Sequence, residues 1–243
     1  MNTQAQLEAL RWIQEIGHPV LDMFFTLVTM SAEEVFFILV AAWLLWCGSK
    51  EIGYRVGFAF LSSTVVNPLL KNTFRVERPI GSEGIESMRL HTATGYAFPS
   101  GHTQGAASFW TGLMSSARSR PIYVLGTVMI ILVAFSRMYL GVHWPADVIG
   151  GMIIGVAWVL LVNRLYDRAM LWNAPQLLLI LILPLAAGYF FAPDKAYLVS
   201  MGSLIGFWAG FVIEQRYICY EVRAPLPLQL LKLVIGLAVL LLL

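Results

Sequence analysis

The stretch "VLGTVMIILVAFSRMYLGVHWPADVIGGMIIGVAWVLL", residues 124–161, decides the fold. Two apolar runs, each near the roughly 20 residues that cross a hydrocarbon core, flank a short polar joint. Pro145 stands where the second helix should begin, since its missing N–H is one that a helix start leaves unpaired anyway. The stretch therefore reads helix, turn, helix, and the pattern continues in both directions. Apolar segments fall at about 21–47, 52–70, 102–117, 121–141, 146–166, 175–192, 197–213 and 226–243. Irregular backbone cannot face lipid, so the spans must be helices and the polar joints must lie at the interfaces or inside a bundle.

Composition agrees. Of 243 residues, 58% are hydrophobic and 12% charged, with a mean hydropathy of +0.73, against an apolar share of roughly 45–50% in soluble domains. The expected fold class is all-α, a polytopic transmembrane bundle. A net charge of +2 argues for no nucleic-acid partner. Cys47 and Cys219 sit far apart at the ends of apolar runs and are expected to be small buried hydrophobes rather than a disulfide or metal pair. The start, "MNTQAQLEALRWIQEIGHP", lacks the basic region and cleavage site of a signal peptide. Its Leu7, Leu10, Ile13 and Ile16 predict an interfacial amphipathic helix within residues 1–20. The embedded core is expected over 21–168 and further helices over 169–243, ending inside the apolar run "GLAVLLLL".

Within 21–47, "MSAEEVFF" places Glu33 and Glu34 in an apolar run, which predicts a half-helix over 18–32 before a span that begins near Glu34. Asn67 and Pro68 predict a kink. Glycines at 151 and 155, and at 202, 206 and 210, give small-residue spacing; close helix packing is the expected use, and a homodimer face the alternative. Nine Lys and Arg residues fall on one side of the bundle and seven on the other, three of the seven at chemically suggestive positions. The bias puts the first side in the cytoplasm and the long connection 71–100 outside.

Three polar clusters meet on that outward side: "KNTFRVERP" at 71–79, "PSGH" at 99–102 and "SRMYLGVHWPAD" at 136–147. Lys71 and Arg78 are cations at a span end, where interfacial anchoring competes with ligand binding. Arg137 follows a long apolar run and is costly there unless paired, a bidentate oxyanion being its best partner. His143 and Asp147 are four residues apart; a carboxylate there can orient one imidazole nitrogen and leave the other as a nucleophile, or merely cap the helix. Ser100, Gly101 and His102 bring a hydroxyl, free N–H groups and a second imidazole to a helix start, a ready anion site. Together these residues describe a phosphoryl site. His91 in the long loop, with Glu33 and Glu34, are weaker candidates for substrate contact.

The order K-x6-RP, PSGH, SR-x5-H-x3-D resembles the type 2 phosphatidic acid phosphatase superfamily over about residues 50–165, and all three motifs are complete. The resemblance implies that His143 is the nucleophile that forms a phosphohistidine, oriented by Asp147. His102 would be the general acid. Lys71, Arg78, Ser100, the Gly101 N–H and Arg137 would hold the phosphoryl oxygens. It implies no metal and no cofactor, and the sequence lacks a Cys/His or carboxylate cluster with ligand spacing. The expected partner is a lipid phosphate or pyrophosphate, such as phosphatidate, phosphatidylglycerol phosphate, a polyprenyl pyrophosphate or a sphingoid phosphate, taken from the outer leaflet of a bacterial plasma membrane. A phosphotransferase of the same family is the alternative; a lipid scramblase that keeps the fold without catalysis belongs to a different class.

Overall fold

The computed structural model describes residues 3–191 and 194–242. An amphipathic helix comes first, α1 (Thr3–Glu15). A broken pair follows, α2 (Pro19–Met30) and α3 (Glu34–Trp46), bent by 48° at the break. Then come α4 (Lys50–Phe74), α5 (Gly101–Ala117), α6 (Arg120–Tyr139), α7 (Pro145–Leu171), α8 (Leu179–Ala187), α9 (Lys195–Ile213) and α10 (Leu226–Leu242). By length and composition α6, α7 and α9 can each cross a bilayer, and the bent pair makes a fourth candidate. The chain is an integral membrane bundle of helices.

The centre is α5, packed on α4, α6 and α7 and buried on every side from Thr103 to Gly112. So full a burial needs small residues on the facing helix. A Cβ on Gly155 would lie 2.7 Å from the Gln104 carbonyl oxygen, and one on Gly151 2.8 Å from that of Ser100. These two glycines pack as expected. Gly202, Gly206 and Gly210 do not: among the described residues nothing lies within 4 Å of a Cβ built on any of them. That stripe looks out of the bundle because α9 turns its other face, Tyr197, Leu204 and Phe211, onto α4.

The break between α2 and α3 falls at "MSAEEVFF", as the two carboxylates predict. Pro68 lies inside α4, which runs unbroken past it. The helices α8 and α9 share one apolar core with α7 and α4: Tyr54, Phe58, Tyr166, Leu181, Leu204 and Phe211 form a single cluster, while α10 packs on α3. At the end of the bundle that holds Lys50, its Nζ donates to Glu214 Oε1 at 2.7 Å and to the Tyr220 carbonyl at 2.9 Å. Cys219, expected to be buried, is exposed where the turn Glu214–Ile218 ends the α9 run, while Cys47 is half-buried. At the other end α1 lies across the long connection. Gln14 donates to the Glu86 and Tyr139 carbonyls at 2.7 and 2.8 Å, Arg11 holds the Glu83 carbonyl at 2.6 Å, and Gln6 accepts the Ala146 N–H at 3.0 Å.

Candidate active site

The turn before α7 carries His143, and α7 carries Asp147 one turn in. Both are 1% exposed. Asp147 Oδ2 accepts the Trp144 N–H at 2.8 Å and faces His143 Nδ1 at 3.3 Å. The carboxylate therefore caps the helix and orients the imidazole at once, so the two uses weighed from sequence coexist. On the other ring nitrogen, Nε2 lies 2.9 Å from Arg78 Nη1. Arginine only donates, so Nε2 accepts and the ring proton sits on Nδ1, toward Asp147. Burial first, then Arg78, Arg137 and Lys71, push the His143 pKa well below the usual 6.5. The ring is a neutral imidazole with its lone pair aimed at a cation.

Arg78 is held from all around. Nε donates to the Gly95 carbonyl at 2.9 Å, Nη1 to Val142 at 2.9 Å, and Nη2 to Thr94 at 2.8 Å and Tyr96 at 3.3 Å. With His143 these take up the guanidinium's five N–H groups, so any further acceptor must displace one of them. Lys71 is looser, with Nζ 3.4 Å from the Thr94 carbonyl.

Ser100 is fully buried as the N-cap of α5. Its Oγ accepts from the Thr103 hydroxyl at 3.0 Å, and its N–H donates to the Asp147 carbonyl at 3.0 Å, which ties the two motif-bearing helix starts together. Gly101 opens α5 beside Asn67. His102 Nε2 is buried without a hydrogen-bond partner among the described residues, and so is Arg137 Nε. Arg137, fully buried, is held by neutral groups rather than a carboxylate: Nη1 donates to Thr29 Oγ1 at 2.9 Å, and Nη1 and Nη2 reach Thr92 Oγ1 at 3.4 Å. Its charge is left uncompensated by any direct ion pair among the described residues, which suits an incoming anion.

Two adjoining clefts, of about 500 and 430 Å3, flank the site. Lys71 and Gly101 line the larger; His102, Glu33, Glu34 and His91 line the smaller. Glu33 also pairs with Arg89 at 2.6 Å. Thus Arg78, His143 and Asp147 stand in one bonded row, Ser100 is tied to it, and His102 opens into the neighbouring cleft.

Sequence reasoning missed the supporting polar groups. Asn67, read as part of a kink, donates Nδ2 to the Pro99 carbonyl at 3.2 Å and to Gln104 Oε1 at 2.9 Å, and so holds the turn before α5. Gln104 continues to Ser63. Thr29, Thr92 and Arg89 had no signal either, because single residues without spacing or periodicity are silent until the fold brings them together. Among the described residues, no group of three or more His, Cys, Asp and Glu side chains is placed to hold a metal ion.

A family model described as the PAP2 superfamily matches residues 52–171. A second, described as PAP2 superfamily phosphatase, transmembrane extension, matches 198–243. The chain is 30% identical over 129 residues to "Undecaprenyl-diphosphatase" of Sulfolobus acidocaldarius, covering 52% of this chain and 61% of that one. It is 30% identical over 227 residues to "Probable sphingosine-1-phosphate phosphatase" of Dictyostelium discoideum, covering 81% of this chain and 55% of that one. It thus spans less than two thirds of either relative. Among solved structures, Aquifex aeolicus LpxE superposes with a TM-score of 0.59 at 28% identity, over 65% of this chain and 94% of that one.

Proposed function

The chain belongs to the PAP2 superfamily, and from that premise we propose that it is a membrane enzyme hydrolysing a lipid phosphate or diphosphate through a phosphohistidine. The observation that carries this reading is the row Arg78, His143, Asp147: a neutral imidazole, its Nδ1 proton facing a carboxylate at 3.3 Å, with its lone pair on Nε2. When a phosphoryl group enters and takes over the Arg78 hydrogen bond, that nitrogen is free to attack phosphorus. The N–P bond forms as the P–O bond breaks, and His102, whose Nε2 has no hydrogen-bond partner among the described residues, takes up a proton as the anionic substrate binds and delivers it to the leaving oxygen. It then takes a proton from the water that cleaves the phosphohistidine. Lys71, Arg78 and Arg137 supply the positive charge that metal ions supply in other phosphoryl transfers. Ser100 and the Gly101 N–H complete the anion cradle.

The relatives' names span a prenyl diphosphate and a sphingoid phosphate, in line with a site that reads the terminal phosphoryl group. The long connection, α1 and the catalytic row lie at one end, and the charge bias along the chain supports placing that end on the outer face of a plasma membrane.

The test is phosphate release from lipid phosphates by purified protein in EDTA, beside His143→Ala, with acid-labile phosphoprotein trapped during turnover. Release should persist in EDTA, and both release and trapping should vanish in the variant, a loss of roughly a thousandfold or more. Inactivation by EDTA would remove the metal-free mechanism, and full activity in His143→Ala would remove the nucleophile.

A further inference from the structure

The two clefts share Glu34, Thr64, Thr94, Gly101 and Gly105 and differ in the side chains that line the rest of each. The smaller has an apolar wall of Val35, Phe37 and Phe60. Polar side chains enter the larger from two sides: Asn67, Lys71 and Gln104 line it from α4 and α5, and Asp194, Lys195 and Ser200 from α9 and its cap.

One carboxylate fastens the start of α9 there. Asp194 Oδ1 accepts the Tyr197 N–H at 2.8 Å and caps the helix, while Oδ2 accepts Asn72 Nδ2 at 2.8 Å. Asn72 directly follows Lys71, and Lys195 directly follows Asp194, so this bond ties the two ammonium-bearing segments at the same cleft, where the apolar face of α9 already packs on α4. Both Asp194 oxygens are committed, and Lys195 makes no hydrogen bond or ion pair among the described residues. Glu34 stands at the seam with the apolar cleft. A lysine with no direct ion pair, sharing with Lys71 a cleft beside the candidate phosphoryl site whose carboxylates Glu34 and Asp194 leave it unbonded, is a mobile point charge suited to an anion.

We propose that this cleft is a second anion subsite, in which Lys195 binds the phosphate that stays on the lipid when a diphosphate is hydrolysed. The inference rests on the phosphohistidine reading. His143 Nε2 bonds to the terminal phosphorus, the bridging P–O bond breaks, and its electron pair leaves on the lipid monophosphate. Negative charge grows on that leaving group, so an ammonium beside it stabilises the transition state more than the ground state. A monophosphate ester puts no second phosphate in the cleft, and Lys195 does nothing for it. The C-terminal extension thereby sets how a shared phosphoryl site ranks its substrates.

The test compares a prenyl diphosphate with the matching prenyl monophosphate on the full chain, Lys195→Met and Lys195→Arg. Lys195→Met should lose roughly 10- to 100-fold in kcat/KM on the diphosphate, the range of one charge-assisted hydrogen bond, and stay within about twofold on the monophosphate. Lys195→Arg should keep most of the diphosphate rate. Equal losses on both substrates, no loss on either, or a parent chain that leaves the diphosphate intact would overturn the subsite. His143→Ala run in parallel separates the two readings: activity without His143 overturns the phosphohistidine, whereas His143-dependent activity indifferent to Lys195 overturns the subsite alone.

Discussion

Arg78 has two duties that compete, and the competition is visible in its hydrogen bonds. It closes over Nε2 of His143, the proposed attacking nitrogen, at 2.9 Å and spends its other N–H groups on four carbonyls. An imidazole whose pKa is lowered stays neutral as pH falls through 6.5, so the proposed nucleophile is not lost in that window. The unfolded chain does take up the proton there, so this group's contribution to stability is present above 6.5 and declines as pH falls below it. Imidazole NMR of histidine-labelled protein should show His143 titrating well below 6.5, and Arg78→Met should move it upward toward that value. A wild-type titration at or above 6.5 would contradict the assignment. Residues of this kind were legible because type and spacing carry the chemistry: His143 and Asp147 share a turn, and the cations sit at span ends. Thr29 was not, since its bond to Arg137 spans 108 residues and follows only from how α2 docks on α6. Nor was the burial of Ser100, whose hydroxyl serves the helix start.

The elements follow a simple rule, that small residues lie where backbones meet. Gly151 and Gly155 bring α7 against the start and middle of α5, and the same approach sets Asp147 beside Ser100. Gly155→Val should cost about 1–3 kcal/mol, the usual penalty of overpacking, read as a lower unfolding midpoint in detergent. Gly206→Val, where a Cβ meets nothing within 4 Å, should fall within about 0.5 kcal/mol of the parent; an equal loss at both sites would refute the packing argument. From sequence the two glycine stripes look alike. Spacing records that a smooth face exists and says nothing of what stands opposite. The α2–α3 break was legible for the opposite reason, because two carboxylates inside an apolar run are costly anywhere but at an interface or in a paired site.

At the scale of the molecule, two polar ends close an apolar middle. One is fastened by Lys50, Glu214 and Tyr220, the other by α1 and the long connection. If the Lys50 end is cytoplasmic, exposed Cys219 beside it is a native reporter. In intact cells a membrane-impermeant maleimide should miss Cys219 until the membrane is permeabilised. In a Cys47→Ala, Cys219→Ala background it should label Glu83→Cys at once; the reverse pattern would invert the orientation.

The position of α1 bears on how the chain is made. The ribosome delivers this helix before the rest of the bundle, and the carbonyls that Gln14 grips arrive 72 and 125 residues later. Until α6 has been threaded into the bilayer and Tyr139 has reached the far surface, α1 has only part of its dock and the long connection lacks its outer brace. Nascent chains halted before Arg120 should therefore leave α1 open to protease, and release of the finished chain should shield it. The site is then among the last parts of the molecule to set, after the membrane has already received most of the helices that carry it.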